Sequence, residues 1–150
     1  MCAGASSGGH TNELMPLLAH AHLWPVQPSF YVTTLNILAD KYAGKGRLYV
    51  LGECDRKKLL SVPGVIFRAF MCAAKERPGV VVTTGSMPLA VFCLWAKLFG
   101  ARIVWIDSIA NTNGLSMSGS LMRWVADLCL TQWPEVAACK KGVEYAGQLL

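Results

Sequence analysis

The stretch VVVTTGSMP at residues 80–88, followed by the apolar run LAVFCLWAKLF at residues 89–99, decides the fold. Three valines and two threonines are typical of a buried strand, and Gly85 with Ser86 forms a turn before a helix-like segment. The same order of strand, glycine turn and helix occurs near the N-terminus, where a short apolar segment precedes a Gly-Gly loop. This repetition predicts a chain in which strands alternate with helices.

The alternation extends in both directions from this stretch. We predict strands at residues 1–5, 30–33, 48–51, 80–84, 102–106 and 128–131, and helices at residues 12–21, 36–42, 65–75, 89–99 and 119–126. Pro16 predicts that the first helix starts late or bends. Alternating strands and helices imply right-handed crossovers and a parallel sheet covered on both faces. The predicted fold class is therefore α/β, a Rossmann-like parallel sheet, with residues 1–150 forming a single domain.

The loop SSGGHT at residues 6–11 is the strongest indication of function. Its two glycines let the backbone approach a ligand without a Cβ, and the first-turn N–H groups of the following helix attract an anion. Phosphate or diphosphate is the expected ligand, although Gly-Gly also occurs in plain tight turns. Ligands of open parallel sheets bind beyond the carboxyl ends of the strands. We therefore expect this loop to converge with Gly85-Ser86 and with Asp107-Ser108 on one crevice.

Composition limits the class of protein. The chain has 150 residues, is 53% hydrophobic and has a mean hydropathy of +0.39, which is enough apolar material for a core. A long charge-free stretch, residues 79–96, contains threonine, glycine, serine and proline at its centre and is interpreted as strand plus helix rather than a membrane span. No signal peptide is recognisable, which predicts a cytosolic location.

The six cysteines have no metal-ligand spacing, so we expect small buried hydrophobes and no metal site.

The net charge of +5 is concentrated in residues 41–77, which contain nine basic and three acidic side chains. Within this segment the predicted helix at 65–75 combines bulky apolar side chains with cations near its ends, as membrane-surface helices do. An ordinary core-packing helix would explain the same pattern. The candidate membrane-facing residues are Phe67, Arg68, Phe70 and Met71. Nucleic acid is not an expected partner, because no recognisable binding module is present.

Eight short stretches, in order along nearly the whole chain, resemble a known family. They are SSGGHT (6–11), FYVTT (30–34), TGS (84–86), AKLFGA (96–101), IDSIA (106–110), LSMSG (115–119), DLCLTQWP (127–134) and GQLL (147–150). The chain resembles the acceptor-side subunit of two-component glycosyltransferases that make lipid-linked oligosaccharides and bacterial exopolysaccharides, of the asparagine-linked-glycosylation-fourteen type.

The resemblance implies one half of a GT-B glycosyltransferase, the half that holds the acceptor and associates peripherally with the cytoplasmic side of a membrane. The UDP-sugar donor, UDP-N-acetylglucosamine or a related compound, is then expected at a separate partner subunit, with no cofactor bound tightly by this chain. The acceptor is expected to be linked to lipid through a diphosphate. The residues implied in acceptor and diphosphate binding are Ser7, Gly8, Gly9, His10, Thr11, Gly85, Ser86, Ser108, Ser116 and Gly119.

Sugar transfer needs a base for the acceptor hydroxyl proton. His10 is the first candidate, because imidazole titrates nearest neutral pH, and Asp107 is the alternative. A helix cap or a phosphate ligand, without proton transfer, would equally explain His10. Gln132 and Trp133 are candidate contacts to the partner or to a sugar, and Trp133 would also suit a core position.

Two other functions remain open from the residues. The chain could be a non-catalytic scaffold that recruits the partner to the membrane. A dinucleotide-dependent oxidoreductase fits the fold class, but the first loop lacks the G-x-G-x-x-G spacing.

Overall fold

The computed structural model describes residues 1–36, 42, 44, 46–54 and 59–149. The elements within these ranges are β1 Cys2–Ala5, α1 Gly9–Ala19, β2 Phe30–Thr33, β3 Arg47–Val50, α2 Val62–Glu76, β4 Val80–Thr83, α3 Met87–Leu98, β5 Arg102–Ile106, α4 Met117–Met122, β6 Leu128–Thr131, α5 Pro134–Cys139 and β7 Glu144–Tyr145. Short 3₁₀ turns cover Ala21–Leu23 and Leu59–Ser61. None of the helices in these ranges combines the length and apolar character that crossing a bilayer requires.

The strands of the described residues form one parallel sheet in the order β3-β2-β1-β4-β5-β6-β7. The predicted alternation and the parallel sheet are therefore confirmed. The chain adds β2 and β3 on one side of β1, and it then continues with β4 on the other side. The loops that follow β1 and β4 consequently diverge to opposite faces and leave a crevice between them, at the position where such sheets bind ligands.

The core lies on both faces of the sheet because side chains alternate along each strand. Cys2 of β1 belongs to the larger apolar cluster under α2 and α3, which also contains the fully buried Phe92 and Trp105. Ala3 of β1 points to the opposite face, where it packs with Leu14 of α1. The glycine loop thus lies where the chain passes from the central strand β1 into α1.

The cysteines all lie in the described ranges and are free. Four of them are buried as predicted, and burial raises the pKa of both Cys72 and Cys129 to about 12. The expectation of burial is wrong for Cys139, which is exposed at the end of α5, and Cys54 is only half-buried.

Several predicted boundaries are wrong. Helix α1 begins at Gly9 rather than residue 12, because the Asn12 N–H bonds to the Gly8 carbonyl and closes a turn upstream of Pro16. Helix α4 begins two residues before the predicted start at residue 119 and ends at Met122 instead of residue 126. The sequence did not predict α5 or β7. The predicted helix at residues 36–42 lies largely outside the described residues.

Candidate functional site

The glycine loop joins β1 to α1 and is held at its base. The Ser7 N–H donates to Thr34 Oγ1 at 3.1 Å, and the buried Thr11 hydroxyl donates to the Ser6 carbonyl at 2.6 Å. Gly8 has φ +80°, which favours glycine, and a Cβ added at Gly8 or Gly9 would meet no heavy atom within 4 Å. The loop therefore presents its backbone to open space at the start of a helix, whereas Thr11 points inward to support it.

The second loop, between β4 and α3, has an unusual backbone. Gly85 has φ +114°, and Ser86 has φ +99°, a conformation that a residue with a side chain rarely adopts. A Cβ on Gly85 would lie 3.2 Å from His10 Cε1, so the glycine allows the histidine ring to approach. The buried Ser86 Oγ makes no hydrogen bond to any residue that the structure describes. Backbone strain of this kind occurs where a site requires a particular loop geometry.

Two reciprocal hydrogen bonds join the loops. His10 Nδ1 donates to the Thr84 carbonyl at 2.7 Å, and the Thr84 hydroxyl donates to the His10 carbonyl at 2.6 Å. Because a carbonyl oxygen only accepts, Nδ1 must carry the ring proton, and in the neutral ring Nε2 then has a free lone pair. Nε2 makes no hydrogen bond to any described residue. The geometry thus holds one histidine tautomer with its basic nitrogen available.

Asp107 lies beyond the end of β5 but is only 2% exposed. Its carboxylate accepts hydrogen bonds from the Ser116 N–H at 2.7 Å, the Ser116 hydroxyl at 2.6 Å and Trp105 Nε1 at 3.4 Å. Ser116 in turn caps α4 by accepting from the Gly119 N–H at 2.8 Å. A Cβ on Gly119 would lie 2.5 Å from Asp107 Oδ1. Asp107, Ser116 and Gly119 therefore form a buried cap that fixes the start of α4.

Sequence reasoning missed Glu13, which is 1% exposed and one helical turn after His10. Its carboxylate accepts from the Ser108 hydroxyl at 2.7 Å and from Gln132 Nε2 at 3.2 Å. An acidic residue in the otherwise apolar stretch ELMPLLA was the only signal available. Gln132 is also buried, and the half-buried Trp133 donates its indole N–H to the loop after β5. The site therefore has two layers. The glycine loops and His10 form the layer that faces the crevice, and the hydrogen-bonded Glu13, Ser108 and Gln132 form a buried layer beneath it.

Helix α2 presents an apolar surface outside this crevice. Phe67 is 63% exposed, Met71 is 50% exposed, and the partly exposed Phe70 packs edge-on against Trp95 of α3 with ring centres 5.1 Å apart. The predicted residue Arg68 is also exposed, but its Nε donates to the Leu51 carbonyl at 2.6 Å. A cavity of about 240 Å³ lies between this part of α2 and β3. We call Ile66, Phe67, Phe70 and Met71 the α2 apolar surface.

The fold is similar to that of Acinetobacter baumannii MurG, with a TM-score of 0.73 over 97% of this chain at 12% sequence identity. The chain spans 45% of the MurG chain. This likeness confirms the predicted fold class, a Rossmann-like sheet equivalent to one half of a GT-B glycosyltransferase. At 12% identity this likeness shows the fold alone.

The family follows from sequence. The family model described as "Oligosaccharide biosynthesis protein Alg14 like" matches residues 51–149, and the chain belongs to this family. It is 35% identical to the UDP-N-acetylglucosamine transferase subunit alg14 of Schizosaccharomyces pombe, an alignment that covers 94% of this chain and 79% of that protein. The subunits of the same name from Candida albicans and human are 26% and 24% identical, and the alignments cover 75% and 81% of those proteins. The resemblance stated from the eight sequence stretches is confirmed.

Proposed function

We propose that the chain binds the acceptor in a glycosyltransferase whose donor, UDP-N-acetylglucosamine or a related UDP-sugar, is held by a partner subunit. The observation that carries this proposal is the pair of glycine loops joined through His10 and Thr84 at the switch point of the sheet. The names of the relatives support the donor and the existence of a partner. The carboxyl edge of the sheet, beside Trp133, is the surface that we assign to the partner.

The acceptor that this site suits is a sugar linked to lipid through a diphosphate. Two helices, α1 and α3, begin at the crevice, after Gly8 and Ser86. Each helix start carries roughly half a positive charge on its free N–H groups, which favours a phosphate oxygen. Two such helix starts beside one another match the two phosphates of a diphosphate, and the absence of side chains at Gly8 and Gly9 leaves room for them.

Of the two candidate bases, the geometry favours His10. Its Nε2 is available to take the proton of the acceptor hydroxyl, while Nδ1–H donates to the Thr84 carbonyl and stabilises the imidazolium that forms. The acceptor oxygen bonds to the anomeric carbon as the bond from that carbon to the diphosphate breaks, and UDP leaves with the electron pair. The buried Asp107 carboxylate already accepts three hydrogen bonds, so it serves the cap of α4 instead.

The assay that tests this function measures transfer from a panel of radiolabelled UDP-sugars to lipid in membranes. The chain is expressed alone and together with its candidate donor-binding subunit. We expect transfer only in the co-expressed sample, with UDP-N-acetylglucosamine as donor and with product extractable as a diphosphate-linked lipid. Transfer by the chain alone would contradict the assignment of the donor to a partner.

We further propose that the α2 apolar surface rests on the cytoplasmic face of the membrane. Apolar side chains can enter the acyl boundary, while nearby cations such as Lys75 and Arg77 meet anionic headgroups. Phe99, directly after α3, packs against Phe70 with ring centres 6.1 Å apart, and its neighbour Leu98 is 74% exposed.

The double substitution Phe67→Glu with Met71→Glu is expected to weaken binding to vesicles of phosphatidylcholine and phosphatidylserine by about tenfold or more, because two apolar side chains no longer enter the membrane. Vesicle sedimentation at low and high salt measures the effect, and the binding of the unmodified chain should weaken as salt is added. Leu23→Glu is the matched control, since Leu23 is exposed on a 3₁₀ turn away from α2. Equal vesicle binding by the control and the double variant would contradict the assignment.

A further inference from the structure

Beneath the candidate site lies a buried carboxylate that is paired with no cation among the described residues. Glu13 is 1% exposed and belongs to α1, three residues after His10, so the two side chains lie close together on the helix. In the described part of the chain no lysine, arginine or histidine pairs with it. Burying a carboxylate destabilises the fold unless the carboxylate is hydrogen-bonded. A well-packed apolar residue at the same position would avoid this desolvation penalty.

The donors to Glu13 come from two different loops. Oε1 accepts from the Ser108 hydroxyl at 2.7 Å and from the Ile109 N–H at 3.3 Å, both in the loop after β5. Oε2 accepts from Gln132 Nε2 at 3.2 Å, at the end of β6. Gln132 also donates to the Asp107 carbonyl at 3.1 Å. One carboxylate therefore joins the helix of His10 to the ends of two neighbouring strands.

The loop after β5 depends on these bonds for its conformation. The Ser108 Oγ accepts from the Ala110 N–H at 3.3 Å while its own proton is donated to Glu13, and Trp133 Nε1 donates to the Ile109 carbonyl at 2.7 Å. Charge-assisted hydrogen bonds to a carboxylate are stronger than neutral ones. Glu13 is thus the charged centre of the network that holds this loop at the carboxyl edge of the sheet.

We propose that Glu13 is a positioning residue for glycosyl transfer. It fixes the position of the loop after β5 relative to the His10 ring. This inference rests on the proposed function, and it adds the loop after β5, which contains Ser108, to the acceptor site. The carboxylate acts through Ser108, Ile109 and Gln132 and does not touch substrate itself. Displacements of about 1 Å at a reacting centre can cost about a hundredfold in rate, which is the scale on which such a support acts.

The substitution Glu13→Gln tests this role with little change of size. In either orientation of the new amide, its NH₂ group faces a donor, either Gln132 Nε2 or the Ile109 N–H. We expect amide exchange at Ile109 and Ala110 to accelerate by about tenfold or more in the isolated chain, since buried bonds that lose a partner open readily. In the complex with its partner, we expect kcat/KM for the acceptor to fall by about tenfold to a hundredfold while KM for the UDP-sugar stays unchanged.

The matched control is Glu144→Gln, which removes an exposed carboxylate on the edge strand β7 and should change neither measurement. If Glu13→Gln fails to fold, Ser108→Ala removes one donor to the same carboxylate and should shift the same two measurements in the same direction. Faster exchange in the loop with unchanged acceptor kinetics would overturn the positioning role and leave Glu13 a purely structural residue. Unchanged exchange would also overturn it.

A failure of the proposed function can be distinguished from a failure of the role proposed for Glu13. If the unmodified complex transfers no sugar from any donor, the role of Glu13 in transfer is overturned together with the function. Exchange at Ile109 would then decide on its own whether Glu13 holds the loop.

Discussion

Replacing His10 with alanine is expected to lower kcat of the complex by about 10²–10⁴-fold, the usual contribution of a positioned general base. The reason is the fixed tautomer, since Nδ1 donates to the Thr84 carbonyl and only Nε2 remains to take a proton. Alanine also leaves open the space beside Gly85 that the imidazole occupies. Initial rates with saturating donor and acceptor measure the loss, and co-purification of the partner checks that assembly persists.

His20→Ala is the matched control for this substitution. His20 lies directly after α1, and its Nδ1 also donates to a backbone carbonyl, that of Pro16 at 3.0 Å, but its side chain is exposed and outside the crevice. We expect its kcat to match that of the unmodified chain. A rise in acceptor KM with kcat unchanged in His10→Ala would make His10 a phosphate ligand rather than a base. Unchanged kcat and KM would favour the recruitment scaffold.

The order of strands and helices could be predicted because its signals are local. The run of valines at residues 80–82 reads as a buried strand from its own composition, and the predicted strands at 30–33, 102–106 and 128–131 match the structure. Two of the shortest elements lack such a signal. Helix α5 has six residues and β7 has two, and β7 forms only by pairing with β6, which the local sequence does not encode.

The glycine loops of the site could also be predicted, since Gly8 and Gly85 adopt conformations that only glycine tolerates well. The support beneath them could not. Glu13 bonds to Ser108 and Gln132, which are 95 and 119 residues away in sequence. Contacts between such distant positions arise only from the packing of the sheet, so their partners cannot be read from spacing along one chain.

The role of Asp107 shows the same limit. Its position beyond β5 suggested a residue facing the crevice, but the side chain points toward α4, where Ser116 and Gly119 meet it. The sequence predicts Gly119 as the first residue of a helix and, from the family resemblance, as a contact to the acceptor. In the structure it is buried, and its lack of a side chain gives the carboxylate its space.

Gly119→Ala is accordingly expected to lower the free energy of unfolding by about 3 kcal/mol, from overpacking and from weakened hydrogen bonds to a charged group. The added Cβ would lie 2.5 Å from Asp107 Oδ1 and 2.7 Å from Cγ, distances at which the carboxylate has to move. Movement of Asp107 breaks its bonds to both the N–H and the hydroxyl of Ser116, and the capped start of α4 is lost with them. Urea unfolding followed by circular dichroism measures the change as a lower midpoint.

Gly114→Ala distinguishes this steric effect from the general effect of replacing a loop glycine. Gly114 lies in the same connection between β5 and α4, its φ is not in the left-handed region, and an added Cβ would meet no atom within 4 Å. Alanine there restricts the unfolded chain without a clash, so the midpoint should stay the same or rise slightly. Equal midpoints for the two variants would mean that the Asp107 side chain moves aside without lowering the free energy of unfolding. The cap on α4 would then contribute little to the stability of the site.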